Sequence, residues 1–501
     1  MTGQKDSVKP PDVSLGQKAV GGGLAVAFTQ FGGTFINLLA TMFLARLVLT
    51  EDFGLLAKVM AVTGVVGLLG DLGLSLATIQ SKSINQKQLS AFFWINVAVA
   101  ATLACLLIGT ASFVVKFYDD PRVYNVVFAM AFNLLVKGLG VQHQAVLTRQ
   151  MRFRKIAVAT VWSQLIAAVI AVLFAWYGWQ YWALLIQIVC QTLIRTTLLW
   201  KFSGFLPGVH LLGTGIREQL KMGGSFTASN FVNYFARNAD NIVIAKYWGE
   251  TAVALYAKSY SLLLLPLTKL AGPMSQVAIP ALSKLQDKPT EFRNFFKKGF
   301  RFALYLQIPI TVFTAFAGSE IILCFLGPNW IAAVPIFYAL IPNLIASTTS
   351  PVTSWIVLST GDTARYFNVV LLNSIVLIAI FLLAAPYGVL AMAWIFSITT
   401  ALIRAPVILY AIKPSPVNAD DVFPLLFRPM CHAILASIPI IPFFFLDHGL
   451  SHWIMLPLKG CLFFAAYAWL TKQTDSAQIL GREIGKRVDL RSFRFAAVDK
   501  N

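Results

Sequence analysis

Leu55-Leu56-Ala57-Lys58 and, 200 residues on, Leu255-Tyr256-Ala257-Lys258 stand in register without a gap. The match begins upstream, where Leu44-Ala45-Arg46 meets Ile244-Ala245-Lys246. Farther along, Tyr177-Gly178 pairs with Tyr387-Gly388 at an offset of 210, and Thr192-Leu193-Ile194-Arg195 with Ala401-Leu402-Ile403-Arg404 at 209. A period of this length in a 501-residue chain marks a duplicated unit.

The composition says what the unit is made of. The chain is 57% hydrophobic and 12% charged, whereas soluble domains carry about 25% charged residues and single cores stop growing near roughly 250–300 residues. A water-soluble globular enzyme is therefore excluded. Hydropathy places spans at about 20–47, 53–79, 91–115, 123–147, 156–177, 181–200, 222–245, 252–281, 300–320, 331–358, 367–385, 389–411, 429–446 and 453–471. Each supplies the roughly 20 residues that a bilayer helix needs. The predicted fold class is an all-α polytopic membrane protein with about 14 transmembrane helices. Two parallel six-helix repeats, spans 1–6 and 7–12, surround a central cavity, and two extra C-terminal helices follow.

The formal net charge is +19, from 40 Lys and Arg against 21 Asp and Glu. No hydrated basic domain exists to bind nucleic acid, so no nucleic-acid partner is expected. With Arg301, at the rim of span 9, counted in the preceding connection, 28 basic residues fall in the even-numbered connections and the two tails, and three in the odd ones (Lys116, Arg122, Lys246). This asymmetry predicts both termini in the cytoplasm. The domains are then a cytoplasmic N-tail (1–19), an N-lobe (20–200), a cytoplasmic inter-lobe linker (201–221), a C-lobe (222–411), a second cytoplasmic linker (412–428), spans 13 and 14 (429–471) and a basic cytoplasmic C-tail (472–501). The tail, with Arg482, Lys486, Arg487, Arg491 and Arg494, is expected to rest on membrane lipids with anionic headgroups. No connection exceeds about 20 residues, which leaves no room for a soluble catalytic domain.

Nine basic residues remain within spans: Arg46, Lys58, Lys137, Arg195, Arg237, Lys258, Lys269, Arg404 and Lys459. A charge near the bilayer centre costs ~2.5–3.5 kcal/mol even on insertion scales. Arg46, Arg195 and Arg404 lie near span ends and are expected to snorkel to headgroups, while the sequence leaves Lys459 undecided. Lys137, Arg237 and Lys269 are deep and are expected to line a hydrated cavity. Lys58 and Lys258 are equivalent in the repeat and either join that cavity or snorkel outward.

Neutral polar residues mark the same faces. Gln30, Thr34, Asn37 and Thr41 form one helical stripe in span 1, and adding 200 gives Asn230, Tyr234, Arg237 and Asn241 in span 7. Such residues serve either as interhelical hydrogen-bonding groups or as cavity lining. Among the acids, Asp71 either carries a coupling proton or cation or neutralises a neighbouring lysine. Asp240 either does the same or pairs with Arg237 three residues away. A positive interior implies an anionic cargo. Prolines in spans 8 (Pro266, Pro273, Pro280) and 10 (Pro335, Pro342, Pro351) predict kinks.

Enzyme and cofactor signatures are missing. The five cysteines are scattered in apolar segments. His448 and His452, in an outer connection, are the only i,i+4 histidine pair and do not make a metal site. No phosphate loop, GxSxG or dinucleotide fingerprint occurs. No cofactor, metal or enzymatic activity is expected.

The segment from Arg237-Asn-Ala-Asp240 through Lys246-Tyr-Trp-Gly249 to Leu255-Tyr256-Ala257-Lys258-Ser259-Tyr260 and Pro266 resembles Wzx-type polysaccharide flippases. These are the polysaccharide-transporter branch of the multidrug/oligosaccharidyl-lipid/polysaccharide exporter superfamily. Glu51-Asp52-Phe53-Gly54-Leu55-Leu56-Ala57 and Tyr177-Gly178 with Trp182-Ala183 fit the same pattern. The resemblance implies transfer of undecaprenyl-diphosphate-linked oligosaccharide repeat units from the cytoplasmic to the periplasmic leaflet of a bacterial inner membrane. It also implies alternating access, an ion gradient as the driving force and cooperation with other polysaccharide-assembly proteins. Arg237 and Asp240 fall on the family's motif; Lys137 and Lys269 rest on depth and helical face alone. The competing expectations are a drug exporter of the same superfamily, with a less basic cavity, and a membrane polysaccharide polymerase, which needs a longer outer loop.

Overall fold

The computed structural model describes residues 15–69, 74–81, 84–208, 216–444 and 451–472; in some stretches, among them 15–30, 65–69, 216–233 and 235–237, only the backbone is described. Among the described residues every regular element is a helix. In chain order they are α1 (Leu15–Leu47), α2 (Thr50–Leu69), α3 (Leu74–Gln80), α4 (Gln86–Tyr118), α5 (Val123–Arg149), α6 (Phe153–Trp176), α7 (Gln180–Ser203) and α8 (Ile216–Ser283). There follow α9 (Pro289–Phe316), α10 (Gly318–Phe325), α11 (Ala333–Ala339), α12 (Ile341–Ser347), α13 (Ser350–Ser359), α14 (Thr363–Ala384), α15 (Val389–Ile412), α16 (Phe423–Ala436) and α17 (His452–Lys472).

Eleven helical segments among the described residues are long and apolar enough to cross a membrane. The difference from fourteen has two sources. Span 1 is described in part by its backbone alone and span 2 includes residues outside the description, and spans 7 and 8 fall in one element. Within α8 the backbone leaves helical geometry at Gly249, with φ 79° and ψ −171°, a region open essentially to glycine alone. One residue thus serves as the whole turn between two helical arms. The proline-rich span 10 is more than kinked: it divides into α11, α12 and α13, with Pro342 and Pro351 in the first turns of α12 and α13. Proline lacks an N–H and is tolerated where a helix starts, so each residue begins a helix instead of bending one.

The described residues pack as two compact units. The first takes in the described residues up to Ser259 together with Phe325–Ile336 and Val370–Ile395, the second Tyr260–Cys324, Phe337–Val369 and the described residues from Phe396 onward. In the first, α4 runs along α5, α5 and α6 along α7, and α1 along α6. One of its cores joins Leu55 and Val59 of α2 to Ala104, Leu107 and Ala111 of α4, to Val126, Val127 and Met130 of α5, and to Leu185 of α7. Small residues on α4 let the helices approach, which matters in lipid because dispersion contacts take over from the hydrophobic effect between helices. In the second unit the core is aromatic. Phe292, Phe296 and Phe300 of α9 pack with Trp355 of α13, Ile408 of α15, Ala433 of α16 and Phe463 of α17.

Candidate functional site

Lys58 points into the first unit. Its side chain is only 3% exposed, and its ammonium donates to Asp120 Oδ2 at 2.8 Å and to Glu250 Oε1. Arg122 closes the arrangement, with Nε 3.1 Å from Asp120 Oδ1, Nη2 2.8 Å from Glu250 Oε2 and Nη1 3.8 Å from the buried Asp52. Two cations and three carboxylates therefore meet where α2, the α4–α5 connection and the α8 break come together. The chain brings them there by local devices. Asp119 ends α4 in the left-handed conformation, with φ 53°, and the Arg122 backbone N–H caps Asp120 Oδ1 at 2.9 Å. Gly54 lets α2 lie directly on the Glu250 backbone, because a Cβ there would stand 2.0 Å from the Glu250 carbonyl oxygen. Burial alone would raise the Asp120 carboxyl, but the hydrogen bonds donated by Lys58 and Arg122 outweigh that and hold it well below the usual carboxylate range.

Sequence reasoning missed Asp52, Asp120, Arg122 and Glu250 because all four lie at or beside connections. The signal available was Glu51-Asp52 ahead of Lys58 and Glu250 ahead of Lys258, at nearly equivalent places in the repeat. Lys58, an expected cavity cation, is held by carboxylates.

Lys258 is treated differently. It is half-buried and its ammonium sits 4.5 Å from the centre of the Phe53 ring, a cation–π contact. Phe53 in turn packs edge-on against Trp330, whose Nε1 donates to the Ala45 carbonyl at 2.9 Å. Among the described residues no carboxylate lies within ion-pair distance of Lys258 or of the half-buried Lys269, which belongs to the second unit. Lys137 and Asn37 lie exposed on α5 and α1. Asp240 is buried, with Oδ1 accepting the Asn241 backbone N–H at 2.8 Å, and no described cation pairs with it. Asn241 Oδ1 is buried without a partner among the described residues. Asp71 and the side chains of Gln30, Asn230 and Arg237 lie outside the described residues.

Two further cations correct the sequence reading. Arg195 and Arg404 do not snorkel to a surface. Arg195 Nη2 donates to Gln144 Oε1 on α5 at 2.9 Å, and Arg404 Nε to Thr349 Oγ1 at 2.8 Å. Bonds to interior helices outcompete extension towards headgroups. Lys459, undecided from sequence, is fully buried in α17 and paired with Glu320 of α10. In the second unit Asp421 gathers Arg293 Nε at 2.5 Å and Lys297 Nζ at 3.0 Å, tying the start of α9 to the connection before α16. Among the described residues no group of His, Cys, Asp and Glu has the arrangement of a metal site.

Long apolar helices, a turn made by one glycine and charges held inside the helical packing describe a polytopic helical membrane fold. The same fold is seen in the lipid II flippase MurJ in its inward closed conformation, which is similar over 93% of this chain and 100% of its own, with a TM-score of 0.70 at 13% identity. An inward-facing multidrug resistance MATE transporter of the MOP superfamily is similar over 77% of this chain and 97% of its own, with a TM-score of 0.59 at 10% identity. The chain belongs to the family described as "Polysaccharide biosynthesis protein", whose profile matches residues 43–335, and this is the Wzx-type relationship that its motifs carry. It is 22% identical over 365 residues to the lipopolysaccharide biosynthesis protein WzxC of Escherichia coli, covering 71% of this chain and 73% of the relative. It is 24% identical over 389 residues to the teichuronic acid biosynthesis protein TuaB of Bacillus subtilis, covering 74% and 77%.

Proposed function

We propose that this protein is a transporter of polysaccharide biosynthesis in a bacterial inner membrane. It moves undecaprenyl-diphosphate-linked oligosaccharide repeat units from the cytoplasmic to the periplasmic leaflet by alternating access. The observation that carries the reading is positive charge left unneutralised within the spans. Lys258 and Lys269 have no carboxylate in reach among the described residues, and an uncompensated charge in a low-dielectric setting calls for an anion. The diphosphate of a carrier lipid is such an anion. The family match and the fold shared with a lipid flippase support the same choice. Arg237 and Lys137 join Lys258 and Lys269 as cargo-binding cations, Gln30, Asn37, Asn230 and Asn241 line the route, and Asp71 and Asp240 are the ion-coupling carboxylates. Lys58 acts with Asp120, Glu250 and Arg122 as a latch between α2 and the α8 turn.

Alternating access requires contacts that hold one state and release in the other. A cluster of charges can do both, because each partner regains hydration when the cluster opens. Partner assembly proteins act on the cargo before and after this step. The test is a leaflet-sidedness assay of the lipid-linked intermediate in cells with and without this protein. Accumulation on the cytoplasmic leaflet in its absence is expected; an unchanged distribution would rule the function out.

A further inference from the structure

Arg195 and Arg404 occupy matching places in the sequence repeat, and each turns inward within its own unit. Both are half-buried. Each meets a neutral oxygen, Gln144 Oε1 in one case and Thr349 Oγ1 in the other. Among the described residues no carboxylate stands within ion-pair distance of either. Arg195 Nε and Arg404 Nη2 are buried and find no acceptor among the described residues. The Thr349 hydroxyl donates its own proton to the Ala346 carbonyl at 2.7 Å, so towards Arg404 its oxygen can only accept. It orients the guanidinium without neutralising it.

Guanidinium carries five donors and keeps its charge at any physiological pH. Holding one against a single neutral partner leaves its desolvation uncompensated. Elsewhere the same chain neutralises its most deeply buried cations: Lys58 with two carboxylates and Lys459 with Glu320. Two arginines at equivalent positions, both lacking that treatment, are groups awaiting an anion. Their planar forks match the oxygens of a phosphate.

We infer that Arg195 with Gln144, and Arg404 with Thr349, are two phosphate-binding sites, one in each unit. This rests on the flippase reading above. The phosphate belongs either to the diphosphate of the carrier lipid or to the headgroup of an anionic phospholipid. Gln144 and Thr349 are positioning residues that fix the fork.

The test uses full-length protein in phosphatidylcholine nanodiscs titrated with farnesyl diphosphate, with farnesol as the uncharged control. A second series replaces part of the phosphatidylcholine with phosphatidylglycerol and reads the shift in thermal midpoint. Arg195→Met and Arg404→Met are each expected to bind farnesyl diphosphate roughly tenfold or more weakly, with partial recovery in Arg→Lys. Farnesol binding stays unchanged. Arg404→Met should unfold no earlier than wild type, because it removes an uncompensated buried charge and leaves the Thr349 donor satisfied; a structural arginine would give the opposite result. If Arg195→Met fails to fold, Gln144→Leu keeps the charge, removes the orienting oxygen and should weaken binding in the same direction.

Loss of the phosphatidylglycerol effect with intact farnesyl diphosphate binding assigns the sites to phospholipid headgroups, and the reverse assigns them to the carrier. Variants matching wild type in both series overturn the inference while leaving the flippase reading standing. Wild type that binds no farnesyl diphosphate counts against that reading and the carrier source together.

Discussion

Replacing Lys58 by methionine removes one of two cations from a cluster holding three carboxylates, so its formal charge goes from −1 to −2. The remaining cation, Arg122, is 42% exposed, and its bonds are screened enough to add at most about 1 kcal/mol. Lys58, Asp120 and Glu250 are 3%, 10% and 14% exposed, so the loss falls on groups with little access to water. Removing one member of such a buried pair costs about 3–5 kcal/mol, mostly because the opposite charge is stranded. Methionine is of similar length, so packing adds little. The double variant Lys58→Met/Glu250→Gln removes one stranded charge with its partner and should recover a large part of the loss. The assay is the unfolding midpoint of the purified protein in mixed micelles, at fixed pH and salt, for wild type, both singles and the double. A Lys58→Met single that unfolds with the wild type would refute the latch. If export nevertheless failed, Lys58 would belong with the cargo-binding cations.

Gly54→Ala should destabilise by about 1–3 kcal/mol, since its Cβ would stand 2.0 Å from a backbone oxygen that has no side-chain freedom to yield; a midpoint equal to wild type would show that α2 shifts freely. Lys459→Met and Glu320→Gln should each unfold early, while the double variant recovers and still exports polymer, since the two charges are buried and neutralise each other; a double variant no more stable than the singles would contradict this. Arg237→Ala and Lys269→Ala should abolish polymer export with normal membrane insertion, and wild-type export by both would remove these two residues from the route. Because the folded Asp120 carboxyl lies below its ordinary value, its contribution is complete above about pH 4 and is lost as pH falls towards the folded value. Thermal midpoints should therefore be level from about pH 8 to 5 and drop below about 4, and Asp120→Asn should flatten that drop.

The helical spans were legible because each is a local property: a bilayer helix must be apolar along its own length. Even so, Gly249 compresses the connection between spans 7 and 8 to one residue. The prolines of span 10 predict kinks, yet Pro342 and Pro351 start separate helices. Of the candidate site, the sequence singles out Lys258 and Lys269 as interior cations, and among the described residues neither has a carboxylate within ion-pair distance. Depth and helical face alone could not reveal that Lys58 has two acidic partners, or that Arg195 and Arg404 turn inward.

By itself the sequence determined that this is a helical membrane protein of the polysaccharide biosynthesis family, with matching blocks about 200 residues apart and basic residues inside its apolar stretches. Those facts are written in composition, period and motif, which need no contact to be read. Only the tertiary structure decided which charges are neutralised. Lys58 meets acids 62 and 192 residues away, and Lys459 meets one 139 residues away. A charge in lipid is defined by its partner across space, and neither hydropathy nor helical periodicity carries that partner's address.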